Sequence, residues 1–379
     1  MSVLERFCFI TEYYDSYATI VKKFQLFYYP KDGSIEIYDI KNRKIFLKRC
    51  TVPGISFKDL YLGNDINIYS RLHKLVEYGD DYTKNYFEEI RSNTFGLIKP
   101  DAYLNIGKII DCIYQNGFNI SRLKLCKLSL EDASLFYNNI QNQPLFQPMI
   151  NFISSDYVVG MDLVKKNAIK DWLNVIGPED VDIAKNNNPN SLRAVFGTDK
   201  IKNAIHGSLT SSDAKRESSL IFNKIRHQPI LNNNSCVVIK PHAISEGNAG
   251  KIIDILLTEG FEISSMEMLY IDKVQAEEFF EIYKGVLPEY SQMIDSVVCG
   301  PIIAIEVRQN DCVNKMRALA GPHDPDIAKA LRPDTIRAKF GQNTVYNAVH
   351  CTDLEEDATI EIDYIFNKIC RIKNNSNFN

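Results

Sequence analysis

The sequence predicts an α+β protein in which two similar domains follow one another after a small domain that is mostly β. The first observation is an internal repeat that covers residues 92–370. The second is the alternation of strand-like and helix-like patterns within each copy, and the third is a series of short β-rich runs before residue 88. A chain of 379 residues is also longer than one hydrophobic core usually serves.

Residues 1–88 do not match the repeat and predict a compact β module of separate origin. Aromatic and β-branched residues dominate the runs 24–29, 34–38 and 44–47. The dipeptide Asp32-Gly33 stands between the first two runs, which is a strong signal for a hairpin turn. We expect the aromatic residues of the first run to form core rather than a binding surface.

The repeat is visible as the same short strings in the same order. Lys-Pro-x-Ala begins at Lys99 and at Lys240, an offset of 141 residues, and Asn-Ala-x-His ends at His206 and at His350, an offset of 144. These strings place one domain at 92–227 and the other at 234–370. A short polar linker at 227–234 separates the two domains, and a Lys/Asn-rich tail, expected to be flexible, follows at 371–379.

Each copy alternates strands and helices in the manner of a ferredoxin-like fold, an antiparallel sheet that carries helices. A glycine ends the first predicted helix of each copy, Gly117 in one and Gly260 in the other. The predicted pairs are strands at 95–98 and 236–239, helices at 107–116 and 250–259, helices at 131–137 and 275–283, and strands at 157–161 and 301–307.

One set of polar residue types recurs in order in both copies and defines the candidate sites. The two sets are Lys99, Tyr137, Arg193, Asn203, His206 and Glu217, and Lys240, Tyr283, Arg337, Asn347, His350 and Glu361. A neutral imidazole is a good nucleophile, and a carboxylate bonded to one ring nitrogen leaves the other free to attack. Lysine and arginine supply charge for a transferring phosphoryl group, and asparagine can donate to a nucleotide hydroxyl.

Each of these residues also has a purely structural interpretation. A single histidine is more often a hydrogen-bonded structural residue, and the two tyrosines could be core. The recurrence of the whole set in register, in a chain with six histidines, favours catalytic ancestry.

Composition excludes several other classes of function. A net charge of −4 argues against a nucleic-acid binder, and nine scattered cysteines predict reduced thiols in the cytoplasm. The longest apolar stretch, 297–305, is too short for a bilayer, so no membrane partner is expected. The sequence shows no carboxylate or Cys/His cluster for a metal, and Mg²⁺ would arrive with the phosphates of ATP or GTP.

In the Lys-Pro-Asp-Ala string at Lys99 and the Asn-Ala-Ile-His-Gly-Ser string at Asn203, the chain resembles the nucleoside diphosphate kinase family. The resemblance implies that His206 takes the γ-phosphate of a nucleoside triphosphate and passes it to a nucleoside diphosphate. It implies that Glu217 orients the histidine and that Ser208 supports it. The other residues of the set would bind the nucleotide, and His350 and Glu361 would be the catalytic pair of the second copy.

Both copies depart from the family pattern, and in different ways. The second keeps a further phosphate-binding arginine, Arg317, where the first has Leu173, but it has Cys351 and Thr352 after its histidine. In the first copy Glu179 stands in a phosphate-binding segment, and the neighbouring loop is rebuilt as the polar stretch 185–191. We therefore expect weak activity, with the first copy favoured.

Residues 1–88 resemble the small domain of certain ciliary microtubule-associated proteins, notably in Phe-Leu-Lys-Arg from Phe46 and Tyr-Gly-Asp from Tyr78, and we expect a pleckstrin-homology-like fold. With two kinase domains, this implies a component of the axonemal doublet microtubule, with tubulin, other axonemal proteins and centrosomal γ-tubulin assemblies as partners. The implied locations are the cytoplasm and cytoskeleton, the cilium axoneme, and the basal body or centrosome. Two hypotheses stay open: a microtubule inner protein with kinase activity, and a structural pseudoenzyme without catalysis.

Overall fold

The computed structural model describes residues 6–15, 18, 20–90 and 92–370. The predicted tail at 371–379 lies outside these residues. The described residues form two compact units. One combines the N-terminal module with Tyr270–Pro301, and the other combines Ser92–Leu269 with the described residues from Ile302 onward. The sequence pattern did not indicate that residues 270–301 group with the N-terminal module.

The N-terminal module is a six-stranded antiparallel sheet followed by a helix. Its elements are β1 (Phe7–Asp15), β2 (Ile20–Tyr29), β3 (Ser34–Asp39), β4 (Lys44–Cys50), β5 (Asp65–Ile68), β6 (Arg71–Tyr78) and α1 (Asp81–Ile90). The strands lie in the order β4-β3-β2-β1-β6-β5. Gly33 has a φ of 67°, as the hairpin turn between β2 and β3 requires, so that prediction is confirmed. Phe9, Phe24 and Phe87 are fully buried in the core.

The first copy contains four strands and seven helices, whose order matches the predicted alternation. They are β7 (Ser92–Ile98), α2 (Ile106–Gln115), β8 (Asn119–Lys127), α3 (Leu130–Phe136), α4 (Phe146–Ile153), β9 (Tyr157–Lys165), α5 (Ala168–Ile176), α6 (Val181–Asn187), α7 (Leu192–Phe196), β10 (Ile205–Gly207) and α8 (Ser211–Ser219).

The second copy repeats this order, with a short α-helix after Lys240 where the first copy has a 3₁₀ helix at Pro100–Asn105. Its elements are β11 (Asn234–Ile239), α9 (Pro241–Ser245), α10 (Ala249–Thr258), β12 (Glu262–Leu269), α11 (Lys273–Phe279), α12 (Tyr290–Val298), β13 (Ile302–Arg308), α13 (Cys312–Ala320), α14 (Pro325–Leu331), α15 (Ile336–Phe340), β14 (Val349–Cys351) and α16 (Glu355–Ile362). In both copies a short π-helical turn continues the last helix. The predicted α+β fold class is confirmed.

One eight-stranded antiparallel sheet runs through both copies in the order β10-β7-β9-β8-β12-β13-β11-β14. The join is the pairing of β8 with β12, where Lys124 lies opposite Glu267. Helices α2 and α10 cross at the join, and each presents a glycine there. A Cβ atom on Gly107 would overlap the backbone nitrogen of Asp254, and one on Gly250 would overlap that of Asp111. The two glycines therefore allow the helix backbones to approach closely.

Candidate active site

The candidate nucleophile of the first copy lies on β10, directly after a strained turn. Ala204 has a φ of 65°, which is unusual for a residue with a side chain. The turn is held because the Ala204 backbone N–H donates to Asp101 Oδ2 at 2.9 Å. His206 follows, opposite Leu97 of β7. The second copy repeats the turn at Ala348, with a φ of 70°. Strain of this kind concentrates at functional sites.

A carboxylate on α8 fixes the orientation of His206. Glu217 Oε2 lies 2.8 Å from His206 Nε2 and also accepts a 2.6 Å hydrogen bond from Ser208 Oγ. Its other oxygen accepts from Arg216 Nη2 at 3.0 Å. Because the carboxylate is an acceptor in each contact, it selects the tautomer with hydrogen on Nε2. The Nδ1 lone pair is then free to attack an electrophile. The structure thus brings His206, Glu217 and Ser208 together as the resemblance implied.

A buried lysine stands beside this pair. Lys99 Nζ donates to Asn203 Oδ1 at 2.7 Å and to the Ile201 carbonyl at 3.1 Å. Burial lowers the pKa of Lys99 from 10.5 to about 7, and the positive charge of Arg193 adds to the effect. A lysine whose charge is this poorly compensated favours the approach of an anion.

Arg193 and Tyr137 are also buried near the histidine. Arg193 donates from Nε to the Ile205 carbonyl at 3.1 Å and from Nη1 to the Gly177 carbonyl at 2.8 Å, so it braces the strand that carries His206. The ring of Tyr137 lies 5.7 Å from the His206 ring, edge to face. Burial raises the pKa of Tyr137, and within the described residues its hydroxyl has no hydrogen-bond partner. The interpretation of Tyr137 as plain core does not explain that unpaired donor.

The second copy reproduces the histidine and carboxylate pair. His350 Nε2 lies 3.1 Å from Glu361 Oε1, and Thr352 Oγ1 donates to Glu361 Oε2 at 2.6 Å. Thr352 therefore takes the place of Ser208, because both hydroxyls bond the orienting carboxylate at the same distance. The loss of the serine was expected to weaken this copy, but the hydroxyl that matters is retained.

The loss of the glycine is also compensated, by an exchange of volume. A Cβ atom on Gly207 would lie 2.7 Å from Trp172 Nε1, and one on Gly96 would lie 2.8 Å from Trp172 Cζ2. In the second copy the residue at the position of Trp172 is Met316, which leaves room for the side chain of Cys351. The departure at Cys351 is thus a repacking of the core under the site.

The remaining groups of the second site largely repeat the contacts of the first. Lys240 Nζ donates to the Val345 carbonyl at 3.1 Å, and burial lowers its pKa to about 7, with Arg337 contributing. Asn347 Nδ2 lies 3.2 Å from both the carbonyl oxygen and Nδ1 of His323. Arg337 braces the strand as Arg193 does, donating to the Gly321 carbonyl at 2.7 Å.

The copies differ in charge at two positions, where the first has Glu179 and Leu173 and the second has His323 and Arg317. Asn203 Nδ2 donates to the Glu179 carbonyl at 3.0 Å, as Asn347 does to that of His323, so Glu179 and His323 occupy equivalent positions. Glu179 was anticipated from the sequence and His323 was not, although the offset of 144 residues places His323 at the position of Glu179. Arg317 is half exposed, with Nε 3.6 Å from Asp353 Oδ1.

The assignment of Tyr283 as the counterpart of Tyr137 is wrong. Helix α3 begins after Ser129 and is capped at its end by Tyr137, whereas α11 begins after Asp272 and is capped by Phe280. Phe280 therefore occupies the position of Tyr137, and Tyr283 lies in a following 3₁₀ turn. The predicted helix at 275–283 was too long because this turn continues the helical pattern for three residues. Nucleotide binding by Tyr283 stays a prediction, but it is no longer supported by an equivalence with Tyr137.

Neither a protein-bound metal nor a membrane span is found in the described part of the chain. No three His, Cys, Asp or Glu side chains come together there as a metal site. Across the same residues, no helix has both the length and the hydropathy that a bilayer span requires.

A histidine with one nitrogen held by a carboxylate, next to a buried lysine and arginine, defines a candidate site for phosphoryl transfer through histidine. Family comparison agrees with this class. The model "Nucleoside diphosphate kinase" matches residues 92–226 and 233–369, and "Nucleoside diphosphate kinase 7 N-terminal PH domain" matches residues 1–89. The chain belongs to the nucleoside diphosphate kinase family.

Two full-length relatives and one solved structure illustrate the similarity. "Nucleoside diphosphate kinase homolog 7" of Rattus norvegicus is 43% identical over 96% of this chain and 93% of its own length. The protein of the same description from Mus musculus is 41% identical over the same shares. A crystal structure of the Aquifex aeolicus nucleoside diphosphate kinase is 41% identical, covers 35% of this chain and 96% of its own, and has a TM-score of 0.35.

Proposed function

We propose that the first copy transfers the γ-phosphate of a magnesium-bound nucleoside triphosphate to a nucleoside diphosphate through phosphohistidine at His206. The observation that carries this proposal is the bond between His206 Nε2 and Glu217, which leaves Nδ1 as the nucleophile. Nδ1 forms a bond to the γ-phosphorus while the bond to the β,γ-bridging oxygen breaks, and the diphosphate leaves. A terminal oxygen of the next diphosphate then takes the phosphoryl group and restores the imidazole.

The surrounding residues support the charges of this reaction. Glu217 stabilises positive charge on the imidazole, because it already accepts from Nε2. Lys99 and Arg193 supply the positive potential for phosphate oxygens, and the unpaired hydroxyl of Tyr137 is a further donor. Mg²⁺ is part of the substrate and neutralises phosphate charge.

We propose that turnover is low, because the phosphate-binding half of the first site is weakened. Leu173 offers no charge where the second copy has Arg317. The carboxylate of Glu179 is close enough to act on both Lys99 and Arg193, so it reduces their attraction for phosphate. The second copy has Arg317, but its histidine side chain is 6% exposed against 17% for His206. The first copy is therefore the proposed site of phosphorylation.

The test is labelling of the folded chain with γ-labelled ATP, followed by a chase with a nucleoside diphosphate. We expect acid-labile, alkali-stable label that His206→Ala removes and His350→Ala largely retains, and that moves to the diphosphate in the chase. Absence of histidine label in the folded chain would support the pseudoenzyme alternative.

We propose further that the chain works on the cytoskeleton, as a component of axonemal doublet microtubules in the cilium, with a second location at the basal body or centrosome. The support is the resemblance of the strings at Phe46 and Tyr78 to the small domain of ciliary microtubule-associated proteins, in a module that is joined to two kinase domains. Tubulin, axonemal proteins and γ-tubulin assemblies are the proposed partners.

Fractionation of isolated cilia tests this second proposal separately from catalysis. We expect the chain to stay on doublets after a salt wash, whether or not His206 is intact. Recovery of the chain in the detergent-soluble fraction alone would contradict it.

A further inference from the structure

The edge strand β4 of the N-terminal module is exposed along nearly its whole length. It is the last strand of its sheet and, in the described part of the chain, pairs only with β3. Its outer edge therefore presents backbone donors and acceptors for another strand. Ile45 and Phe46, which are 53% and 42% exposed, add apolar surface beside that edge.

The charge carried by this strand and by the residues next to it in the sequence is of a single sign. Residues 40–58 contain no Asp or Glu, although the chain as a whole carries a net charge of −4. The same residues contain six basic side chains, all exposed, namely Lys41, Arg43, Lys44, Lys48, Arg49 and Lys58. Neither phosphotransfer site uses them.

Three of these six side chains form no ion pair in the described part of the module. Arg49 is paired, with Nη2 2.7 Å from Asp32 Oδ2 and its guanidinium over the Tyr29 ring, and Lys44 lies opposite Asp39 of β3. Lys41, Arg43 and Lys48 form no ion pair in the part of the chain that the structure describes. The strand thus combines an open hydrogen-bonding edge with a field that attracts negative charge.

We propose that the free edge of β4 binds an acidic peptide segment in an extended conformation. Backbone hydrogen bonds along the edge supply the affinity, and the basic side chains select a partner rich in Asp or Glu. The inference does not depend on the proposed phosphotransfer.

Protection of the edge against pairing with itself is the simpler explanation for its lysines. Like charges of either sign make two copies of an edge repel each other, and lysine is common there, but protection alone does not require that carboxylates be absent. A run of six basic residues without a carboxylate goes beyond that need and discriminates between partners.

The test measures binding of the full chain to a labelled peptide of alternating Glu and Ser by fluorescence polarisation at low ionic strength. We expect saturable binding that Lys41→Glu/Arg43→Glu/Lys48→Glu weakens by about tenfold or more, because three exposed attractions become repulsions. Unchanged binding by this variant, or no binding by the native chain, would overturn the proposal.

The matched control is Lys108→Glu/Lys170→Glu/Lys251→Glu, which makes the same change of charge on exposed residues of the two kinase copies. We expect it to bind the peptide as the native chain does. Loss of binding in this control as large as in the β4 variant would assign the effect to net charge alone and overturn the proposal.

Two further probes separate an extended peptide from other anions. A peptide of alternating Glu and Pro has the same charge but lacks half of the backbone donors, so we expect it to bind several-fold more weakly. Equal binding of the two peptides would contradict pairing at the strand edge. Stronger, β4-dependent binding to vesicles of phosphatidylcholine with phosphatidylserine than to the Glu-Ser peptide would identify a membrane surface and overturn the proposal.

Discussion

Replacing Lys99 with methionine is expected to abolish phosphotransfer in the first copy and to change how its stability depends on pH. The Nζ atom is buried, and its hydrogen-bond partners, the Asn203 amide oxygen and the Ile201 carbonyl, carry no formal charge. Burial without a contacting carboxylate is the reason that the pKa of Lys99 falls from 10.5 to about 7.

The magnitude follows from proton linkage. The folded-state pKa is lowered, so the folded chain binds this proton less tightly than the unfolded chain does. The resulting destabilisation is fully present below about pH 7 and disappears as the pH rises towards 10.5. Each pKa unit corresponds to about 1.4 kcal/mol. The unfolding free energy of the native chain should therefore rise by about 2 kcal/mol relative to that of Lys99→Met between about pH 7 and pH 9.

Urea unfolding followed by tryptophan fluorescence measures this difference in the relevant copy. The only tryptophan of the chain, Trp172, is buried in the first copy. The control is Lys108→Met, an exposed lysine on α2, for which we expect no difference in pH dependence. The native chain and Lys99→Met should differ in unfolding free energy by different amounts at the two pH values. The same difference at both would refute the argument that Lys99 is buried with its charge uncompensated.

Three further predictions test the site and the join. Glu217→Gln should slow labelling of the histidine by about tenfold to a hundredfold, because the amide stabilises the imidazolium poorly; an unchanged rate of γ-phosphate labelling would contradict its orienting role. Gly107→Val should lower the unfolding free energy by about 1–3 kcal/mol, since its side chain meets the α10 backbone; a native-like urea midpoint would argue against the close helix crossing. Gly207→Cys should destabilise the first copy by a similar amount, and adding Trp172→Met should recover part of the lost stability, as measured by thermal unfolding. Additive effects of the two changes would contradict the exchange of volume.

Local patterns in the sequence were sufficient for the elements and for the core of the site. A glycine with positive φ stands at the predicted hairpin and at the ends of the first helices, where Gly33, Gly117 and Gly260 have φ of 67°, 74° and 80°. The pairing of His206 with Glu217 could also be anticipated, because the spacing of 11 residues recurs in both copies.

Features that depend on three-dimensional packing could not be predicted in this way. The counterpart of Tyr137 was misassigned because helical periodicity does not distinguish the end of α11 from the 3₁₀ turn that contains Tyr283. The substitution at Cys351 seemed damaging because the compensating change, Met316 in place of Trp172, lies on a different element.

The pairing of β8 with β12 is a contact between two edge strands that are far apart in the sequence. It depends on the approach of α2 and α10 at two glycines, and no local pattern encodes it.

The proposed reaction requires that His206 is the nucleophile and attacks through Nδ1. The direct measurement is phosphorus NMR of the chain after reaction with ATP, unfolded in alkali to preserve the phosphoramidate, together with mass-spectrometric mapping of the modified peptide. We expect phosphate on His206 at Nδ1, because Glu217 occupies Nε2. Phosphate at Nε2 of His206, or phosphate confined to His350, would contradict it.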